Sequence, residues 1–276
     1  MASLPPDFQF SQASLQDYVD CRRRFLLAHV RRIVWPAVES EPFLAHERQL
    51  ALGTAFHRLI WQHLSGVEPE RLTRAAGREP ELARWWEHYL SLRPAALPGR
   101  LYPEVTLAAP LAGYRLLAKY DLLALDPDGE AVIVDWKTGG RRPPDDALRA
   151  RLQTLVYRYL LVRAGAHLNE GTPVQPERVR MVYWFAEHPD RPANLAYDDP
   201  RYAADHAYLE GLVQSIAAAG EDDFPRTDDE RRCRFCRYRS LCGRGEAAGE
   251  GAWEEQEDVA APDLVLDFDQ VAEIEF

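Results

Sequence analysis

Hydrophobic positions recur with helical spacing over the first third of the chain and then switch to strand-like alternation. Ser14 with Asp17 forms a capping-box pattern that opens a helix running through Cys21 into "RRRFLL" (22–27). A second helix is predicted over 46–64, containing "LGTAFHRLIW" (52–61), and a third over 80–92. After "PAALPG" (94–99), three stretches read as strands divided by Gly and Pro turns: "YPEVTLAA" (102–109), "YRLLAKYDLLALD" (114–126) and "EAVIVDWK" (130–137). A helix over 146–163, a strand at "RVRMVYWFA" (178–186) and a helix over 201–219 follow. A meander succeeded by helix, strand and helix predicts one mixed α/β domain, without internal repeats or a second globular unit.

The turn at "DPDGE" (126–130) sets a register. Pro127 suits the second position of a type I turn and Gly129 the left-handed position of a bulge, making a three-residue hairpin loop. Asp126 then pairs with Glu130, Asp121 with Asp135 and Lys119 with Lys137, and alternation puts Lys119, Asp121, Asp135 and Lys137 on one face. Val132, Val134 and Trp136 point the other way, opposite Tyr120, Leu122 and Ala124, as a core face. A two-residue loop would instead set Asp121 opposite Val134, so the charged face depends on the glycine bulge.

Two facing carboxylates repel, and at the edge of a hydrophobic strand pair they are costly to desolvate, unless a cation joins them. Mg²⁺ or Mn²⁺ suits such oxygens and would accept the Trp136 carbonyl as a further ligand. Lys137 belongs beside the ion rather than on it. There an ammonium can orient the attacking water and offset charge growing on a phosphoryl oxygen. The chain uses arginine 31 times and lysine only at Lys119 and Lys137, which favours a point-charge amine at this place. The competing account is a set of ordinary Asp–Lys salt bridges at strand ends. Lys119 itself suits either a solvated face or a phosphate contact.

Four further residues are candidates for support. Glu104 lies on the first strand, on a face the "APLAG" turn does not determine. His57 follows Gly53 by four residues, and the small glycine would let the helix approach the sheet. Gln153 and Tyr157 share a helix face at i,i+4, suited to holding substrate or an ordered water. Each has a plain alternative: a helix histidine for His57, and the rim of a core face built on Leu155, Leu160 and Leu161 for the other two. Arg141 and Arg142 follow the third strand and suit either phosphate or a solvated loop.

The net charge of -11 at first argues against a polyanionic partner. Residues 246–276, however, hold eleven Asp or Glu and no Lys or Arg, leaving 33 acidic and 33 basic residues in 1–245. That neutral body carries local arginine clusters at 22–24, 31–32, 141–142 and 231–244, which can bind phosphates. The N-terminus lacks a signal-peptide pattern and no stretch approaches membrane-span length, so a cytoplasmic location away from membranes is expected.

All four cysteines fall into one pattern: Cys233, Cys236 and Cys242 in "RRCRFCRYRSLCGRG", with Cys21 far upstream. Four thiolates suit a [4Fe-4S] cluster or Zn²⁺, which spacing alone leaves level. Either would tie residue 21 to residue 233 and join the two ends of the body.

"IVDWKTG" with Asp121 upstream, "LGTAFH", "QTLVY" (153–157) and the one-plus-three cysteine layout together resemble the PD-(D/E)XK nuclease superfamily. The nearest likeness is to its RecB/AddB-type branch of iron–sulfur exonucleases, which includes CRISPR adaptation nucleases and exonuclease V. The resemblance implies a restriction-endonuclease-like core over 1–245, with a helical insertion about 43–97 and a separate acidic tail, 246–276. It implies that Asp121 and Asp135, joined by His57, bind Mg²⁺ or Mn²⁺ and that Lys137 is catalytic. Gln153 and Tyr157 match the family's Gln and Tyr pair, and Cys21, Cys233, Cys236 and Cys242 its [4Fe-4S] ligands, with Zn²⁺ the alternative. The implied function is hydrolysis of single-stranded or end-containing DNA in repair, recombination or foreign-DNA processing. No G-x4-GK[ST] motif is present, so unwinding would need a separate helicase or other DNA-processing partner. The chain departs from the pattern at Tyr120, where the superfamily's name has Pro, and at Arg22, where relatives often carry Pro. The rival functions are a non-catalytic, cluster-bearing DNA-binding subunit and an interaction protein recruiting a partner through its acidic tail.

The tail's own composition, rich in Gly, Ala and Glu before "PDLVLDFDQVAEIEF", disfavours an independent core. Its acids suit either cover for the DNA-binding surface or docking on a basic partner. Deleting 246–276 should therefore raise DNA affinity in a gel-shift titration, and unchanged binding would sink the covering role.

Overall fold

The computed structural model describes residues 4–5, 7–35, 41–126 and 129–245. The acidic tail, and with it the expected covering contact, lies outside these residues, as does Pro127.

A short strand, β1 (Gln9–Ser11), leads directly into α1 (Gln12–Asp20). The capping box lies three residues earlier than the Ser14–Asp17 pattern. Ser11 is the N-cap, its hydroxyl accepting from the Ser14 backbone at 3.1 Å while the Ser14 hydroxyl accepts from the Ser11 backbone at 2.9 Å. Nor does this helix run through Cys21. Cys21 is extended and separates α1 from the short α2 (Arg22–Phe25), which continues as a π-helical turn over Leu26–Val30. Arg24 bridges the break by pairing with Asp17 at 2.6 Å and Asp20 at 2.7 Å.

Three helices follow: α3 (Glu41–Leu64), α4 (Pro69–Ala76) and α5 (Pro80–Leu92). Proline at the first position of α4 and α5 removes a backbone donor that has no helical partner there. α4 carries few apolar residues, burying only Leu72 and Ala76.

The strands are β2 (Arg100–Pro103), β3 (Thr106–Leu111), β4 (Tyr114–Lys119), β5 (Leu122–Leu125), β6 (Ala131–Lys137), β7 (Val179–Phe185) and β8 (Ala193–Ala196). Between and after them lie α6 (Asp145–Arg149), α7 (Leu152–Ala164) and α8 (Asp199–Ala218). One mixed sheet has the order β2-β5-β6-β7-β8, with β6 and β7 parallel; the other has the order β1-β4-β3, with β1 and β4 parallel.

Two expected strands are each divided in the structure. The first breaks at Glu104, whose backbone is left-handed (φ 57°), and the second at Tyr120–Asp121, where the chain passes from one sheet to the other. Tyr120 N donates to Val105 O at 2.8 Å and Glu104 N to Asp121 O at 3.0 Å, so the two breaks satisfy each other's backbone.

The hairpin register matches the expectation. Leu122 lies opposite Val134 and Leu125 opposite Ala131, Asp126 N donates to Glu130 O at 3.1 Å, and Gly129 has φ 85°. Continuing this register sets Asp121 opposite Asp135. It does not extend to Lys119, which belongs to the other sheet opposite Thr106, so the expected Lys119–Lys137 pair is absent. Tyr120 likewise leaves the face of Leu122 and Ala124 and packs with Leu123 and Ile133, because the break turns the chain over.

Both faces of the five-stranded sheet are covered. Leu122, Ala124, Val132, Val134, Trp136 and Trp184 pack against Phe56, Trp85 and Tyr89 of α3 and α5. Leu123, Ile133, Met181 and Tyr183 pack with Val156 and Leu160 of α7 and Leu209 of α8. Gly129→Ala would force a side chain into the left-handed region. It should cost about 1 kcal/mol in a urea titration, with the midpoint lowered and the slope unchanged.

Candidate active site

The break between β4 and β5 presents Asp121 at the end of the sheet. Its Oδ2 accepts the Trp136 backbone N–H at 2.9 Å, and its Oδ1 lies 3.2 Å from His57 Nδ1. His57 reaches this position from α3. A Cβ on Gly53 would meet Thr138 Oγ1 at 2.9 Å, so the glycine permits the close approach of helix and strand end. Glu104, from the facing break, completes a group in which one ligand atom each from His57, Glu104 and Asp121 lie within 4.8 Å of one another. The Glu104 carboxylate is also ion-paired with Lys119.

Asp135 and Lys137 lie on the adjoining strand, β6, under α7. Asp135 is almost fully buried, its side chain retaining 3% exposure. Lys137 Nζ lies 2.9 Å from Asp135 Oδ2, while Gln153 donates to Asp135 Oδ1 at 2.8 Å and accepts from Lys137 Nζ at 2.9 Å. Gln153 therefore engages both members of the Asp-x-Lys pair. Tyr157, one turn later, donates from its hydroxyl to Lys119 O at 2.8 Å and so braces the end of β4.

Three further residues border this site. Tyr120, expected on the core face with Leu122 and Ala124, donates its hydroxyl to Tyr157 O at 2.8 Å. Its backbone N–H bond to Val105 is one a proline could not make. Tyr183 places its ring 5.6 Å from Lys137 Nζ, and Thr154 meets the Tyr183 hydroxyl at 2.7 Å. Nothing local in the sequence marks these residues, because they converge only through the sheet order.

Far along the chain, Cys21, Cys233, Cys236 and Cys242 line one pocket with Arg24, Arg232, Arg239 and Arg244. Two contacts dock the C-terminal segment on the N-terminal one: Tyr238 donates to Ile33 O and Trp35 Nε1 to Ser240 Oγ, each at 2.9 Å. Burial pushes the Cys236 thiol up to about 11.

The model of the PD-(D/E)XK nuclease superfamily matches residues 9–243. The chain belongs to this superfamily. Its fold is similar to that of the "Putative exonuclease" from Eubacterium rectale at 10% identity, over 90% of this chain and 91% of that one, with a TM-score of 0.50. A further solved structure, SSO0001, matches at 15% identity over 85% of each chain with a TM-score of 0.36. No curated protein matches significantly.

For a PD-(D/E)XK protein, whose superfamily uses divalent metals, the donor set of His57, Glu104 and Asp121 is suitable. It offers two carboxylates and an imidazole, and side-chain exposures of 30% for His57 and 19% for Asp121 leave the group open to an ion. Asp135 adds a buried Oδ2 that has the Lys137 ion pair but no hydrogen bond among the described residues.

Charge coupling divides the two aspartates. Burial raises the Asp135 pKa; Lys137 opposes this and Asp121 adds to it, leaving the value raised. Burial also acts to raise Asp121, but His57 and the Trp136 N–H outweigh it and its pKa is lowered. For His57, burial disfavours the charge, yet Asp121 prevails and the pKa rises above 6.5.

The metal-free His57–Asp121 pair thus contributes stability between the lowered Asp121 value and the raised His57 value. It is lost as pH falls through the first or climbs through the second. Urea titrations in EDTA should show the stability gap between wild type and His57→Gln to be widest in that window, narrowing as pH rises through the His57 value. A gap independent of pH would contradict the pairing.

Among the described residues, no helix is long and apolar enough to cross a membrane.

Proposed function

We propose that the protein is a cytoplasmic Mg²⁺- or Mn²⁺-dependent deoxyribonuclease that hydrolyses DNA from ends or in single strands. The observation that carries this reading is the Lys137 ammonium, 2.9 Å from the buried Asp135 carboxylate and adjoining the His57, Glu104 and Asp121 donors. Those three residues would hold the ion, with Asp135 beside them. A bound Mg²⁺ or Mn²⁺ would polarise the phosphodiester and lower the pKa of the attacking water. Asp135 and Gln153 hold the Lys137 ammonium in place, where it orients that water and stabilises charge on the phosphoryl oxygen. Tyr157 and Tyr120 keep the Asp121 break fixed against α7.

The exonuclease assignment is supported by the description of the E. rectale structure, and the RecB/AddB-type placement by the cysteine layout. We assign the cysteine pocket to a [4Fe-4S] cluster rather than Zn²⁺. What supports this is the one-plus-three layout of Cys21, Cys233, Cys236 and Cys242 and the one pocket they share, since four thiolates are the ligand set of such clusters. The domain comprises residues 1–245, and the enzyme serves DNA repair, recombination or foreign-DNA processing alongside a separate helicase.

Anaerobically purified protein should cleave end-labelled linear DNA with Mg²⁺ or Mn²⁺ and spare covalently closed circles. Asp135→Ala and Lys137→Ala should each lower the rate by about 100-fold or more. Cleavage unaffected by both substitutions would reject the catalytic assignment, and efficient cutting of circles would reject the preference for ends. Visible absorption and iron content of the same sample test the cluster, with stoichiometric zinc and no iron as the contrary result.

A further inference from the structure

Lys119 is the chain's other lysine, and the sheet crossing puts it beside Glu104. Its carbonyl is pinned by the Tyr157 hydroxyl at 2.8 Å, so the side chain extends from a fixed root. Glu104 is equally constrained, with a left-handed backbone and its N–H bonded to Asp121 O at 3.0 Å. The Glu104 carboxylate therefore has two claimants, the Lys119 ammonium and any cation taken up with His57 and Asp121.

The two lysines differ in how firmly they are held. Lys137 is paired with a carboxylate of 3% exposure and hydrogen-bonded to Gln153. The Lys119–Glu104 pair is far more open, with side-chain exposures of 41% and 26%. An exposed pair of this kind is weak enough for a divalent ion to displace.

We infer that Lys119 is a placeholder for the divalent ion at Glu104, neutralising that carboxylate in the empty site and yielding it when the ion binds. The inference rests on the metal-dependent reading above. In the empty state the ammonium relieves repulsion between Glu104 and Asp121, and its displacement weakens ion binding by the same linkage. Lys119 is thus a positioning residue that acts through Glu104.

The test is calorimetric titration of the metal-free full-length protein with MnCl₂ in the absence of DNA. Lys119→Met should bind Mn²⁺ about fivefold more tightly than wild type, the factor expected from removing one exposed pair. Lys119→Arg, which keeps the charge, should match wild type. Glu104→Gln should bind more weakly, and adding Lys119→Met to it should bring no further gain. Equal or weaker binding by Lys119→Met, or tighter binding by Lys119→Arg, overturns the placeholder role. If wild type itself binds no Mn²⁺, the metal-dependent reading fails and takes this inference with it.

Discussion

A carboxylate buried in the middle of a sheet covered on both faces is costly, and the architecture around β6 answers that cost at Asp135. The strand is flanked by β5 and β7, with aromatic residues of α3 and α5 beneath and α7 above. Water cannot solvate Asp135 there, so Lys137 and Gln153 do so instead. Holding Gln153 over the strand end requires α7 to begin at Leu152, after the separate turn of α6, rather than continue one helix from residue 146. The packing of α7 and the chemistry of β6 are one constraint.

Asp121 is placed by a different device, the pair of chain breaks at Glu104 and Tyr120–Asp121. A continuous β4–β5 strand would keep Lys119, Asp121 and Leu123 on one face of one sheet. The break lets the chain change sheets, turns Tyr120 into the opposite core and brings Glu104 beside Asp121 and His57. The Tyr120 hydroxyl then donates to Tyr157 O and the Tyr157 hydroxyl to Lys119 O, and together they hold the break against α7. The two halves of the site are consequently joined through one helix.

The legible parts of this arrangement were local ones. Gly129 announced the hairpin register because only a left-handed residue closes that loop, and the register carried Asp121 to Asp135. Gly53 and His57 were readable for the same reason, since a missing side chain signals a close approach. The crossing between sheets was not readable: no residue near 120 has an obligatory break signal, and Glu104 adopts a conformation that favours glycine. Errors followed from that one omission, including the supposed Lys119–Lys137 pair and the misplaced Tyr120 ring. Glu104 could not be assigned a face because its position depends on contacts between two breaks.

The joining of the N-terminal helices to the cysteine segment has a further consequence for how the protein is made. Ile33 and Trp35 find Tyr238 and Ser240, and Arg23 N finds Pro225 O at 3.1 Å. The segment around Ile33 thus leaves the ribosome about 200 residues before its partners. Strands β2–β8 and α3–α8 lie between, so closing the cysteine pocket joins segments from either side of them. During that interval the apolar side of α1, including Leu15 and Tyr18, lacks the cover of Phe224, whose ring stands 6.2 Å from that of Tyr18. The pocket therefore also couples the two ends of the nuclease body, because its four thiols cannot meet until the chain through Cys242 has been made.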